Sequence, residues 1–149
     1  MTVTQTPTPS TSTSTDKYLK SVVVNIKAED SISQLSSSNN YQYCLSTSSS
    51  SLSGCSWKSY TNGSNFTLGT NLTGTYYLIF KRVSDNAKLS SYLPVSGNNN
   101  KISNIMNNTR IDNVVYHVLG PYKFDNTGPT VTLAITQTPT PSTSTNNYI

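Results

Sequence analysis

The sequence predicts an all-β fold, an antiparallel β-sandwich of about 100 residues with tails, on three observations. The first is the stretch from Leu72 to Asp85, where Tyr76, Leu78 and Phe80 alternate with Tyr77, Ile79 and Lys81. That period of two gives a strand one large apolar face and a second, mixed face. The second is composition: of 149 residues ten are Lys or Arg and six Asp or Glu, Ser, Thr and Asn abound, and Tyr occurs ten times. Such a mixture favours strands and polar loops over helices. The third is the punctuation of short apolar runs by turn residues, as at Asn62-Gly63 and Asp125-Asn126-Thr127-Gly128-Pro129.

In chain order, Val22, Val24, Ile26 and Ala28 mark the core face of a first full strand, which Glu29-Asp30-Ser31 ends. Tyr41–Cys44 and Ser56–Tyr60 read as two strands joined by a Ser-rich loop, and Phe66-Thr67-Leu68 as a short strand after Asn62-Gly63. Leu72-x-Gly74-x-Tyr76 has the spacing of a tyrosine corner, in which the phenol reaches back to an upstream backbone group, so Gly74 and Tyr76 are expected to be structural. Between Leu89 and Leu119 the pattern weakens. Ile102, Ile105 and Met106 have helical spacing among helix-disfavouring Asn residues, while Val114, Val115, Tyr116 and Val118 fit a strand better. That stretch is predicted to be a long insertion before the last strand, Tyr122-Lys123-Phe124.

The net charge of +4 is scattered, without the clustered cations and stacking aromatics of a nucleic-acid groove. No apolar run approaches the ~20 residues of a membrane span, so neither nucleic acid nor membrane insertion is expected. Cys44 and Cys55 flank the Ser-rich loop. With one His in the chain they lack the companions of a zinc site, and a disulfide is favoured over free thiols because so Ser/Thr/Asn-rich a β chain reads as extracellular.

Acid–base catalysis needs convergent groups of tuned pKa, which this sequence does not bring together; the chain is read as no enzyme, without cofactor or metal. His117 is read as a satisfied strand residue, and Glu29, Asp30 and Asp85 as too thin an oxygen set for calcium. Asn62, Asn65, Asn71 and Asn107 head glycosylation acceptor patterns, expected by chance in such a composition.

The ends carry a repeat. Thr4–Thr13 recurs letter for letter as Thr136–Thr145, at an offset of 132, and Tyr18-Leu19 is echoed by Tyr148-Ile149 at an offset of 130. A tandem array with a period of about 130 residues follows. Residues 1–17 are then a Thr/Ser/Pro-rich linker with a remnant first strand, 18–128 the sandwich, and 129–149 the first strand and linker of the next repeat. Val131, Leu133 and Ile135 alternate as that next strand and are candidate strand donors for head-to-tail self-assembly.

Tyr41-x-Tyr43-Cys44, Cys55-Ser56-Trp57, Leu72-x-Gly74-Thr75-Tyr76-Tyr77, Val83–Ala87 and Asp125-Asn126-Thr127-x-Pro129-Thr130-Val131 stand in the order seen in bacterial immunoglobulin-like repeats. The resemblance covers most of residues 20–135. It implies an immunoglobulin-like sandwich, with Trp57 structural, used as a non-catalytic spacer or stalk between neighbouring repeats of a secreted or cell-wall-attached bacterial surface protein. It also raises an adhesive alternative, in which the module binds a host glycan or protein through exposed aromatics, with Tyr60, Tyr77, Tyr92 and Tyr116 as contacts. Such repeats sometimes carry a Lys–Asn isopeptide bond, for which Lys27, Lys81 and Asn126 are the parts available.

Overall fold

A computed structural model describes residues 1–6, 18–91 and 105–134. Among them the fold is all-β: two antiparallel sheets pack face to face as a β-sandwich. One sheet has the order β1-β2-β5, with β1 spanning Thr2–Thr6, β2 Val22–Lys27 and β5 Asn65–Leu68. The other has the order β4-β3-β6-β8-β7, from β3 (Gln42–Ser46), β4 (Lys58–Ser59), β6 (Gly74–Lys81), β7 (Ile105–Ile111) and β8 (Val114–Phe124).

The alternation read from the sequence is the burial pattern found. Val22, Val24 and Ile26 of β2 meet Leu78 and Phe80 of β6 in the core between the sheets, together with Val3, Tyr43, Leu119, Tyr122 and Phe124. Ile79, on the opposite parity of β6, joins Cys44, Ile111, Tyr116 and Val118 in a second cluster, against which Tyr77 and Trp57 pack. The five-stranded sheet is therefore apolar on both faces. That is why its strands resist being read as simple amphipathic ribbons.

The stretch predicted as an insertion before the last strand supplies β7 and the first half of β8, with residues 92–104 outside the description. The two strands join through Asp112 (φ 50°) and Asn113 (φ 65°), a two-residue hairpin loop of the type whose twist matches its strands. Ile105 and Met106 are thus strand residues despite their helical spacing. Tyr122-Lys123-Phe124 is no separate strand: β8 runs from Val114 through a cis Gly120-Pro121 bond to Phe124.

What disguised β8 is a bulge. Leu78 pairs with Leu119 and Tyr76 with Tyr122, so Gly120 and Pro121 together face the one residue between them, Tyr77. The extra residue shifts the side-chain parity, and Leu119, Tyr122 and Phe124 all turn inward. Gly120 has φ 150°, and a Cβ there would lie 2.7 Å from the Tyr77 ring and 3.1 Å from the Tyr76 carbonyl oxygen. Only glycine fits.

The domain is closed by its exit. Leu19 N–H donates to the Lys123 carbonyl at 2.8 Å and Asp125 N–H to the Leu19 carbonyl at 3.0 Å, tying the entry of β2 to the end of β8. Asn126 Nδ2 then reaches the carbonyls of Leu72 (2.6 Å), Gly69 (2.9 Å) and Lys20 (3.1 Å). These contacts take the role expected of the tyrosine corner. The Tyr76 phenol makes no hydrogen bond to a described residue; its half-buried ring packs 6.1 Å from that of Phe124. Gly120→Ala forces the Tyr77 ring or the bulge to move and should lower stability by about 2–4 kcal/mol, read from urea unfolding midpoints at unchanged m-value.

Candidate functional site

The outer face of the five-stranded sheet carries the most distinctive side-chain arrangement. β3 and β4 are held by a Cys44–Cys55 disulfide across the Ser-rich loop, with Cα atoms 5.6 Å apart. Two residues beyond Cys55, Trp57 lies stacked on Tyr116, ring centroids 5.7 Å apart. Lys81 Nζ sits 5.0 Å from the Trp57 ring centre and donates to Gln42 Oε1 at 2.6 Å. Because Lys81 and Tyr116 are register partners on β6 and β8, they form one floor on which the indole rests. Trp57 thus packs on this outer face and not in the inter-sheet core.

Beside the stack, where β6 ends and the β7–β8 hairpin turns, a recess of about 430 Å³ is lined by Lys81, Arg82, Ser90, Arg110, Asn113 and Tyr116, with Val114 and Val115. Its described lining holds three cations and no carboxylate. Arg82 Nε donates to the Ser91 carbonyl at 2.9 Å and Arg110 Nη1 to the Asn113 carbonyl at 3.4 Å. With Lys81, Arg82 and Arg110 on its described lining, the recess is positively charged, which suits an anionic group.

The aromatic contacts expected from the sequence divide. Tyr116 does not fit, since it is 9% exposed with Trp57 stacked on its ring; the half-buried Tyr77 packs against the same outer cluster, and Tyr92 lies outside the described residues. Tyr60 does not fit: β4 ends at Ser59, and Tyr60 turns into the core with rings of Tyr41 at 5.7 Å and Phe66 at 5.6 Å. Burial first, then the Tyr41 phenol, holds its pKa far above the ordinary value. The isopeptide parts stay apart, since Lys27 pairs with Glu29, Lys81 with Gln42, and the Asn126 amide with three carbonyls. Val131 and Leu133 lie in no strand and are 84% and 78% exposed; Ile135 lies outside the described residues.

Two polar clusters were illegible in the sequence because each joins distant segments. Ser33 Oγ lies 2.8 Å from a carboxylate oxygen of both Asp30 and Asp85. The Ile32 amide, and then the Ser33 hydroxyl, hold Asp30 below the usual carboxylate range. Glu29 turns away to Lys27, and among the described residues no group of three or more His, Cys, Asp or Glu side chains is placed to hold a metal. The second cluster is Ser91–His117–Asn108. Val83 N–H donates to Ser91 Oγ (3.0 Å), which directs the Ser91 proton to His117 Nε2 (2.8 Å) and leaves Nδ1–H to donate to Asn108 Oδ1 (2.7 Å).

That order of hydroxyl, imidazole and carbonyl oxygen has the connectivity of an acyl-transfer triad. His117 is fully buried, and burial, followed by the Arg82 charge, pulls its pKa down to about 3. The Asn108 amide oxygen accepts from Nδ1–H and so holds the ring in the tautomer that accepts from Ser91. The cluster fastens the segment at Ser91 over the end of the core.

Two outcomes follow. Closing the eleven-residue separation between the cysteines should stabilise the fold by about 3 kcal/mol on the chain-entropy model. Under denaturing, non-reducing conditions no thiol should react, and reduction should lower the unfolding midpoint and shift Trp57 fluorescence to the red as the indole leaves Tyr116. For His117 the folded pKa is depressed, so between pH 6.5 and about 3 the unfolded chain binds a proton that the folded chain refuses. Stability should be untouched by this group above pH 6.5, fall as pH drops toward 3, and level off below, by on the order of 5 kcal/mol in all. NMR titration of this single His in the folded chain should show no imidazolium at pH 5.

Compared with protein-family models, with curated proteins and with solved structures, the chain has a match in none of the three.

Proposed function

We propose that this chain is a non-catalytic repeat module of a secreted or cell-wall-attached bacterial surface protein, and that it acts as a spacer between neighbouring copies of itself. The observation that carries this reading is the recurrence of Thr4–Thr13, the end of β1 and the start of its linker, letter for letter as Thr136–Thr145 after the sandwich closes. The exit supports it. With Asn126 bonded to three carbonyls, the chain leaves the domain from a fixed point, as a stalk built of successive modules requires. An extracellular setting accords with the Cys44–Cys55 disulfide, and the bacterial source is what the resemblance to immunoglobulin-like repeats implies.

A second reading, adhesion, is favoured by the cationic recess beside Trp57 and Tyr116. Its ligand would be an anionic glycan, with a carboxylate or sulfate at the cations. Two experiments separate the readings. Small-angle scattering on one, two and four linked copies should show the longest dimension growing by about 35 Å per copy, the size of a domain of this length; particles that compact without a regular increment would defeat the spacer. A glycan array with sulfated and uronic saccharides tests the recess. Binding lost in Arg110→Ala at an unchanged unfolding midpoint supports adhesion, and silence across the array removes it.

A further inference from the structure

The edge of the three-stranded sheet is a slot for which this chain carries one strand and a second copy of its sequence. β1 lies antiparallel on β2 with Thr2 opposite Lys27, Val3 opposite Ile26, Gln5 opposite Val24 and Thr6 opposite Val23. Val3 and Gln5 are buried at 7% and 3% exposure, while Thr2 and Thr4 face solvent. The offset of 132 carries Thr2-Val3-Thr4-Gln5-Thr6 onto Ala134-Ile135-Thr136-Gln137-Thr138. The copy differs by Ala for an exposed Thr and by Ile for the buried Val. It keeps the Gln whose Oε1 is buried in β1 without a partner among the described residues, a feature that edge strands in general have no reason to share. The residues leading into the copy lie in no strand, with Val131 and Leu133 in solvent.

We propose that Ala134–Thr138 of a second copy of this chain takes the place of β1 on β2 in the same register, with Ile135 opposite Ile26 and Gln137 opposite Val24. This rests on the tandem-repeat reading above, in which the same segment is the first strand of the covalently next repeat; exchange between separate chains occurs where that next repeat does not follow. The donor is a second copy because the chain's own tail cannot fold back. Asn126 is held at Lys20 and Gly69, beside the Val22 end of β2, whereas Ala134 must start at Lys27. Seven residues of strand separate Lys20 from Lys27, about 23 Å. The eight steps from Asn126 to Ala134 reach about 28 Å at full stretch. Crossing from the β5 side of β2 to the β1 side and reversing direction uses more than that slack.

Concentration decides which strand wins. β1 is tethered to β2 by residues 7–21, which gives it an effective concentration on the order of 1 mM. One extra buried methylene in Ile135 favours the donor only about fourfold. The wild-type chain is therefore a monomer at micromolar concentration, and exchange appears in the hundreds of micromolar or wherever β1 is expelled.

The test uses the full chain. Val3→Asp places a charge in the slot and expels β1 without touching the donor; Val3→Asp/Ile135→Asp disables both strands. Light scattering from 1 to 500 µM should show the wild type monomeric at 10 µM and the single variant forming concentration-dependent oligomers at least tenfold below any wild-type threshold. The double variant should return to monomers. A single variant that stays monomeric throughout, folded or unfolded, overturns the proposal, as does a double variant that associates as the single one does. Either failure leaves the spacer reading standing, since each repeat then closes with its own first strand and the scattering increment per copy is unaffected.

Discussion

The sandwich depends on a change of parity in β8. This strand is central to the five-stranded sheet, paired with β6 on one side and β7 on the other, and it must feed two apolar clusters. Its first half places Tyr116 and Val118 outward and His117 and Leu119 inward. The bulge at Gly120-Pro121 then resets the alternation so that Tyr122 and Phe124 also face the core. Without the extra residue, Tyr122 and Phe124 would point to solvent, and Pro121 and Lys123 would be driven inward. The bulge also places the chain end over Gly69, where a Cβ would run into the Phe124 ring. Interior packing and exit geometry thus share one origin.

Polar clasps do the closing that packing alone leaves undone. The Asn126 amide joins three carbonyls from segments that lie 54 to 106 residues away in sequence. Asn62 forms a reciprocal pair with the Ala28 backbone at 2.8 and 3.0 Å, continuing the β2 ladder past its last strand residue. Ser91, His117 and Asn108 fasten another end. Each satisfies backbone or buried polar groups that would otherwise be desolvated without a partner. The abundance of Asn and Ser in this sequence is in part the supply for such clasps.

The outer sheet face has a different logic. Ordinary sandwiches leave this face to water, but here the disulfide loop folds Trp57 down over Lys81 and Tyr116, so apolar area is covered by the β3–β4 connection itself. That cover ends at the Asp112-Asn113 turn, and the uncovered margin is where Lys81, Arg82 and Arg110 gather. The recess is thus the boundary between a roofed and an open part of one sheet.

The sequence by itself determined the class of fold, the core faces of β2 and β6, the disulfide and the repeat, because each is written in local alternation, composition or identity of letters. Val22, Val24, Ile26, Leu78 and Phe80 announce their burial through a period of two, and Thr4–Thr13 and Thr136–Thr145 announce their kinship by comparison alone. Only the tertiary structure decided that Ile105 and Met106 lie in a strand, that β8 runs unbroken from Val114 to Phe124, that Tyr60 is core, that Asn126 replaces the tyrosine corner, and that Ser91, Asn108 and His117 meet. A bulge erases the period on which strand reading relies, and a side chain just past a strand end has no alternation to declare its face. Hydrogen bonds between residues dozens of positions apart leave no mark on the sequence near either partner, because it is the sheet register that brings them together.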